Sequence, residues 1–149
     1  MPEKETIERA RKAKREGKAP TTQAGEFVRE EIEHIREGKH GARSPQQAIA
    51  IGLSKARRAG VDLPPPKKGT TSEATRKQAK RDLAKGQSRS TAKPSAKRSR
   101  AGREALKSEP RSAASHAALS KHAKKAAAKR RSQGASTTAV RKRTTKSTS

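Results

Sequence analysis

Clusters of lysine and arginine carry the chemistry that this sequence can perform. Each cationic group can displace a counterion from a phosphate of DNA or RNA, a contact that does not depend on the base sequence. The clusters therefore predict a largely sequence-independent contact with a nucleic-acid backbone. The residues predicted to make it are Lys67, Lys68, Lys97, Arg98, Arg100, Lys124, Lys125, Lys129, Arg130, Arg131, Arg141, Lys142 and Arg143.

The charge is concentrated in the second half of the chain. The whole chain has 39 Lys and Arg against 14 Asp and Glu, a net charge of +25. Residues 70–149 contribute 23 of the basic residues and only four of the acidic ones. A tail that only confers solubility is the alternative, but the excess of charge is larger than solubility requires and favours a polyanionic partner.

The form of nucleic acid is predicted from the scarcity of aromatic residues. Phe27 is the only aromatic side chain of the chain, and recognition of single strands rests on stacking bases against several such rings. The backbone of duplex DNA or of structured RNA is therefore favoured over a single strand, and duplex DNA is expected as the partner before RNA. An RNA- or ribosome-associated basic protein remains the first alternative.

Other site chemistries have no matching pattern. The chain has no cysteine. His34 and His40 are six residues apart, as are His116 and His122, whereas two ligands on one helix face need a spacing of four. There is no glycine-rich phosphate loop and no nucleophile with an identifiable base. The sequence predicts a protein that is not an enzyme, without a metal, another cofactor or a small-molecule substrate.

The apolar residues that could position these groups are concentrated at 20–66. A first helix is predicted to start after Pro20, with Thr21 or Thr22 as its cap, and to run to Gly38. Ala24, Val28, Glu31, Ile32 and Ile35 share one stripe of this helix, and the opposite face carries Glu26, Glu30, Glu33 and Glu37. This acidic face is interpreted as solvated; alternatively, it competes with DNA for the cationic tail.

A second helix has clear end signals. Ser44 is a suitable N-cap, Pro45 suits the first helical position, and Gly60 suits a left-handed C-cap that Val61 closes. The side predicted to face away from the apolar residues carries Gln47, Ile51, Lys55 and Arg58. Either this side is a solvated basic face, or it forms a second nucleic-acid contact made by Arg43, Lys55, Arg57 and Arg58. Ile51 packs against the first helix or belongs to a homodimer contact.

The predicted fold is mainly α, a small helix-loop-helix hairpin domain with a long disordered basic C-terminal tail. Residues 1–19 form a charged, marginally helical arm, and 20–66 form the hairpin. Residues 67–86 form a linker and a polar helix from Ser72 to Gly86. The disordered tail comprises 87–149, with an alanine-rich helix at 112–132 as an option.

The hairpin sequence resembles a group of small basic bacterial proteins of unknown function. They share the core Gln-Ala-Ile-Ala-Ile-Gly-Leu-Ser-Lys-Ala, which stands here at residues 47–56, and residues 25–34 and 38–41 also fit. The likeness covers residues 18–69, while the tail resembles linker-histone tails in composition only. Members of the group are variously labelled DNA-binding or plasmid-stabilisation proteins, so the resemblance implies one of these roles.

These features together predict a cytoplasmic, nucleoid-associated protein that compacts or bridges DNA by neutralising its phosphates. A second alternative is a protein-interaction module in a stress-response or plasmid-maintenance complex. No apolar run approaches the length that spans a bilayer, and no secretory signal is visible. A membrane partner is therefore not expected.

Overall fold

The computed structural model describes residues 2–88, 93 and 95–146, with side chains described as far as residue 134. These residues form six α-helices, which confirms a mainly helical fold. The chain divides into two units, Met1–Ala114 and Ser115–Ser149, which are described separately. The helices are α1 Lys4–Arg15, α2 Pro20–Arg36, α3 Pro45–Arg58, α4 Glu73–Gln87, α5 Ala96–Lys107 and α6 His116–Lys146, with a 3₁₀ turn at Ser112–Ala114.

The predicted N-terminal arm is a helix packed on α2. Thr6, Ala10 and Ala13 of α1 are buried. Arg9 Nε forms a salt bridge of 3.0 Å with Glu26 Oε2. One ion pair and an apolar contact through Ala10 therefore join α1 to α2, although α1 has few apolar side chains.

The structure corrects two expectations about α2. The helix begins at Pro20 with Ala19 at the N-cap, so neither threonine caps it. Its acidic face is not uniformly solvated, because Glu30 is buried with an exposed fraction of 2%. The backbone N–H of Glu3 donates to the Glu30 carboxylate at 2.7 Å, so the residues just before α1 cover this part of α2.

The predicted ends of α3 are confirmed. The Gln47 backbone N–H donates to Ser44 Oγ at 3.3 Å, and Pro45 is the first helical residue. Gly60 adopts a φ of 98°, and Val61 is buried and donates its N–H to the Ala56 carbonyl. This is the Schellman geometry that terminates helices at a glycine.

α2 and α3 approach closely where Gly52 meets Val28. A Cβ atom added to Gly52 would lie 2.6 Å from Val28 Cα, which is too short for any side chain. The absence of a side chain at residue 52 therefore sets the distance between the two helices. The antiparallel hairpin depends on this contact as much as on its apolar stripe.

Small side chains dominate the two apolar clusters of the first unit. One joins α1, α2, α3 and the segment after α3, and contains Ala10, Ala24, Phe27, Ala56, Val61 and Leu63. The other contains Ile35, Ala42, Ala48, Ala113 and Ala114. The second cluster therefore includes the 3₁₀ turn, which lies far along the chain from the hairpin.

Segment 106–114 is hydrogen-bonded to the loop between α2 and α3. Gly41 donates its N–H to the Leu106 carbonyl at 2.8 Å, and Ala42 donates to the Pro110 carbonyl at 3.0 Å. Arg36 Nε donates to the Ala114 carbonyl at 2.9 Å. The sequence analysis assigns this segment to the predicted disordered tail, where the alanine-rich helix at 112–132 would begin. In the structure, backbone hydrogen bonds hold it against the hairpin.

α4 packs on α3 through a buried carboxylate. Ser72 caps α4 as predicted. Asp82 is 4% exposed and accepts hydrogen bonds from Ser54 Oγ at 2.6 Å, Arg58 Nε at 2.9 Å and Gln78 Nε2 at 3.1 Å. The predicted linker and polar helix therefore belong to the first unit.

α5 and α6 occupy most of the described part of residues 87–149, beyond the helix predicted at 112–132. Ser95 caps α5 by accepting from the Arg98 N–H, and no residue of α5 is buried. In the second unit, Ser115 Oγ accepts from the Ala118 N–H at the start of α6. Local capping and an alanine-rich composition explain why these polar segments form helices.

We predict opposite effects for alanine at two glycines of the hairpin. Gly52→Ala should lower the free energy of unfolding by about 1–3 kcal/mol, because the added methyl group overlaps the α2 backbone. Gly25→Ala, at an exposed position of α2 with nothing within 4 Å of the new Cβ, should raise it by up to about 1 kcal/mol. Urea denaturation followed by circular dichroism measures both values. A stabilised Gly52→Ala variant would contradict the close contact.

Candidate nucleic-acid interface and a buried ionic cluster

α6 is a long cationic helix without internal neutralisation. It contains ten Lys and Arg and no Asp or Glu. Its described cations are all exposed, and none forms a salt bridge with another described residue; they are Lys121, Lys124, Lys125, Lys129, Arg130 and Arg131. Lys121, Lys125 and Lys129 recur every four residues and so lie along one side of the helix. The side chains of the predicted residues Arg141, Lys142 and Arg143 lie outside the described residues.

The first unit has further exposed cations. Lys67 and Lys68 lie between α3 and α4, and Lys97, Arg98 and Arg100 lie on α5. None of these five side chains forms a salt bridge within the described part of the chain. They remain available to a polyanion.

Two predicted contacts are partly engaged within the first unit. Arg43 Nη2 lies 3.5 Å from Glu109 Oε1, although 80% of the Arg43 side chain is exposed. Arg58 Nε binds Asp82, and half of the Arg58 side chain is exposed. Both residues retain donors that face solvent, but their positions are set by carboxylates of the protein.

Lys55 and Arg57 are placed differently from the prediction. Lys55 Nζ binds the buried Glu31 carboxylate. Arg57 donates from Nε to the Leu63 carbonyl at 3.2 Å and from Nη2 to the Pro64 carbonyl at 3.1 Å, and burial lowers the pKa of its guanidinium group. Because α3 is contacted on several sides, these two cations support the fold rather than offer free phosphate ligands.

A buried ionic cluster surrounds Glu31, whose side chain has no exposed surface. His40 Nε2 lies 3.0 Å from Glu31 Oε2, and His34 Nδ1 lies 3.9 Å from Glu31 Oε1. The chain reverses at Gly38, which has a φ of 79°. The Lys39 N–H donates to the His34 carbonyl and the Gly38 N–H to the Ile35 carbonyl. This Schellman turn brings His40 back beside α2.

The cluster continues towards the N-terminus through Glu3. His34 Nε2 lies 3.1 Å from Glu3 Oε1, and Lys39 Nζ lies 3.4 Å from the same oxygen. The hydrogen bonds from His34 and then Lys39 lower the pKa of the Glu3 carboxyl group. Glu30 Oε1 also lies 3.8 Å from His34 Nε2, so three carboxylates and two imidazoles meet where the N-terminus, α2 and the loop after α2 converge.

The spacing rule does not predict this cluster, because it assumes that both histidines lie on one helix. His34 lies on α2, whereas His40 lies beyond the glycine reversal. The signal in the sequence is Gly38 at the helix end, six residues before the cap of α3. Because the chain reverses at Gly38, His34 and His40 lie close together although they are six residues apart. Their ring centroids are 6.3 Å from each other.

Comparisons with known proteins give one match. The model of a family of unknown function, DUF6496, matches residues 4–68, a range that contains α1, α2 and α3 and less than half of the chain. Glu31, His34, His40 and Lys55 all lie inside it. No curated protein and no solved structure matches the chain. Within the described residues, no helix combines the length and apolar character that crossing a membrane requires.

We predict that Glu3 titrates below the usual value of 4.5 for a glutamate. Because the pKa is lowered in the folded state, the stabilisation from this carboxylate is fully present above 4.5 and is lost as the pH falls through the folded-state pKa. Carboxyl carbon chemical shifts, followed by NMR against pH, measure the midpoint. His34→Ala should move it upward, since His34 is the main cause of the shift. A midpoint of 4.5 in the unmodified protein would contradict the contact.

Proposed function

We propose that this protein is not an enzyme and that it binds duplex nucleic acid, DNA before RNA, by neutralising backbone phosphates. The observation that carries the proposal is the composition and exposure of α6, with ten basic residues and no acidic residue. Because α6 has no acidic residue of its own to neutralise its lysines and arginines, its positive electrostatic field attracts a polyanion.

The length of α6 suits a duplex. At about 1.5 Å per residue, its 31 residues extend over roughly 46 Å, more than the roughly 34 Å of one turn of DNA. Phosphates recur about every 1.7 Å of the duplex axis when both strands are counted. Several lysines along one side of α6 therefore meet phosphates without any requirement for base sequence.

The position of Phe27 supports a duplex over a single strand. It is the only aromatic residue of the chain, and it is 1% exposed in the core between α1, α2 and α3. No Phe, Tyr or Trp ring is therefore presented for bases to stack on, and stacking is the main source of affinity for unpaired bases. Cationic contacts to the backbone remain.

Two cationic units in one chain support bridging. The first unit exposes Lys67, Lys68, Lys97, Arg98 and Arg100, and the second exposes α6. When one unit is bound, the other is held at high effective concentration near DNA and can engage a second segment. Compaction of DNA, with association to the nucleoid, is the finer form of this proposal.

We predict that neutralising lysines on α6 weakens binding more than neutralising lysines elsewhere. Lys124→Gln, Lys125→Gln and Lys129→Gln combined should reduce the slope of log affinity against log salt by up to about 0.9 per lost phosphate contact. The matched control combines Lys4→Gln, Lys12→Gln and Lys14→Gln, three exposed lysines of α1. Fluorescence anisotropy with a labelled DNA duplex, titrated over salt, measures the slope.

Both triple variants lose the same net charge, so the comparison separates position from total charge. Equal losses of affinity would overturn the role of α6. Failure of the full chain to bind any duplex at low salt would overturn the proposal as a whole. If the full chain bound duplex RNA more tightly than duplex DNA at the same salt concentration, RNA would replace DNA as the proposed partner.

We also predict that residues 1–114 alone bind DNA more weakly and with a smaller salt slope than the full chain. The boundary follows the two units, since a cut near residue 69 would remove α4 and the 106–114 segment from the hairpin. An unchanged slope would contradict the dominant role of the second unit. A protein complex that survives high salt would favour the interaction-module alternative, because phosphate contacts are screened there.

A further inference from the structure

The hydrogen bonding of His40 fixes which ring nitrogen carries the proton. His40 Nδ1 lies 2.9 Å from the Gly41 carbonyl oxygen, and a carbonyl can only accept, so Nδ1 must be the donor. In the neutral ring, Nε2 then presents a lone pair. This nitrogen lies 3.0 Å from Glu31 Oε2, so in the neutral ring two electron-rich atoms face each other unless a proton or a metal ion lies between them.

His34 repeats the arrangement from the other side. Its Nε2 lies 3.1 Å from Glu3 Oε1, so Nε2–H donates to this carboxylate and Nδ1 keeps the lone pair. Nδ1 lies 3.9 Å from Glu31 Oε1. When both imidazoles are neutral, each therefore directs an unprotonated nitrogen at the same buried carboxylate.

The Glu31 carboxylate has one oxygen without a partner. Oε1 accepts a hydrogen bond from Lys55. Oε2 is buried and receives no hydrogen bond from any described residue. A buried carboxylate oxygen without a donor is costly, and its nearest polar neighbour is the lone-pair nitrogen of His40. Either a proton on His40 Nε2 or a metal ion bound there would supply the missing partner.

We propose that Glu31, His34 and His40 form a binding site for a divalent transition-metal ion of the zinc class. One donor atom from each residue lies within 4.8 Å of the other two. Ligands at about 2.0–2.2 Å from one zinc ion lie within roughly 4 Å of each other, so small rotations of the rings close the site. Two histidines and one carboxylate are a standard zinc ligand set.

The surroundings match those of metal-binding histidines. Such histidines donate their second ring N–H to a carboxylate or to a backbone carbonyl, which fixes the tautomer. Glu3 does this for His34, and Gly41 does it for His40. The two imidazoles are 14% and 13% exposed, so solvent reaches the edge of the cluster.

The local charge balance also favours a cation. With neutral imidazoles, the carboxylates of Glu3, Glu30 and Glu31 carry three negative charges, and the ammonium groups of Lys39 and Lys55 carry two positive ones. Glu30 Oε2 is buried and has no hydrogen-bond partner among the described residues. A divalent ion bound to the two imidazoles supplies the positive charge that this part of the cluster lacks.

Binding of cobalt(II) and zinc to the untagged full chain tests the proposal. Cobalt(II) should give a visible d–d absorption band at one equivalent, and zinc should displace it. His34→Ala combined with His40→Ala should weaken binding by at least about 100-fold, since loss of an outer-shell partner alone costs 10–100-fold. Glu3→Gln, which removes such a partner, should weaken it by about 10-fold.

The matched control is His116→Ala combined with His122→Ala, which removes the two other histidines of the chain. Its affinity and cobalt spectrum should equal those of the unmodified protein. Zinc should also raise the melting temperature of the unmodified protein and of this control, but not that of the His34/His40 double variant. His40→Ala alone, in the loop outside α2, tests the site if the double variant does not fold.

Two results would overturn the site. One is the absence of a stoichiometric cobalt band in the unmodified protein. The other is equal weakening of binding in the two histidine double variants. NMR of the ring nitrogens checks the ligand atom directly, because a His40 ring that carries a proton on Nε2 in excess zinc is not a ligand. The assay contains no nucleic acid, so its outcome does not depend on the proposed function.

Discussion

The buried carboxylate of Glu31 is the constraint around which the hairpin is arranged. A charge without exposed surface must be compensated within the protein, and here Lys55 of α3 provides the compensation. The pair fixes the rotation of α3 about its axis relative to α2, which in turn places Gly52 against Val28. The loop after α2 then brings His40 to the remaining oxygen, so packing and polar contacts specify the same arrangement.

Small residues explain how a chain with 28% hydrophobic residues forms such a unit. Alanine buries little apolar area, so the helices gain stability only where their backbones come close. Glycines at these contacts allow that approach: a Cβ on Gly41 would lie 1.8 Å from the Glu109 carbonyl oxygen, and one on Gly86 would lie 1.8 Å from the Arg57 carbonyl oxygen. Hydrogen bonds such as those from Ser54 and Arg58 to Asp82 fix the relative positions of the helices, as a larger apolar core would otherwise do.

The features that the sequence predicts correctly are those with local causes. The caps at Ser44, Ser72 and Gly60 depend on neighbouring residues only, and they place α3 and the start of α4 correctly. The burial of Glu30, the packing of α1 and the docking of Ala113 and Ala114 depend on distant segments. Alanine gives little warning of these contacts, because it is common both in solvated helices and in close-packed interfaces. The cluster around Glu31 was missed for a related reason: helix periodicity cannot describe a residue that lies beyond a reversal of the chain.

The attachment of residues 106–114 has a mechanical consequence. A pull along the chain from α6 enters the first unit at Ala114, whose carbonyl is held by Arg36. The next hydrogen bonds to carry the load join Ala42 to Pro110 and Gly41 to Leu106. They follow one another along segment 106–114. Under tension they would break one after another rather than together, starting at the Ala114 end. Because Gly41 also holds the ring of His40 through its carbonyl, a load borne by α6 would reach α2 first, through Arg36, and the histidine loop after it.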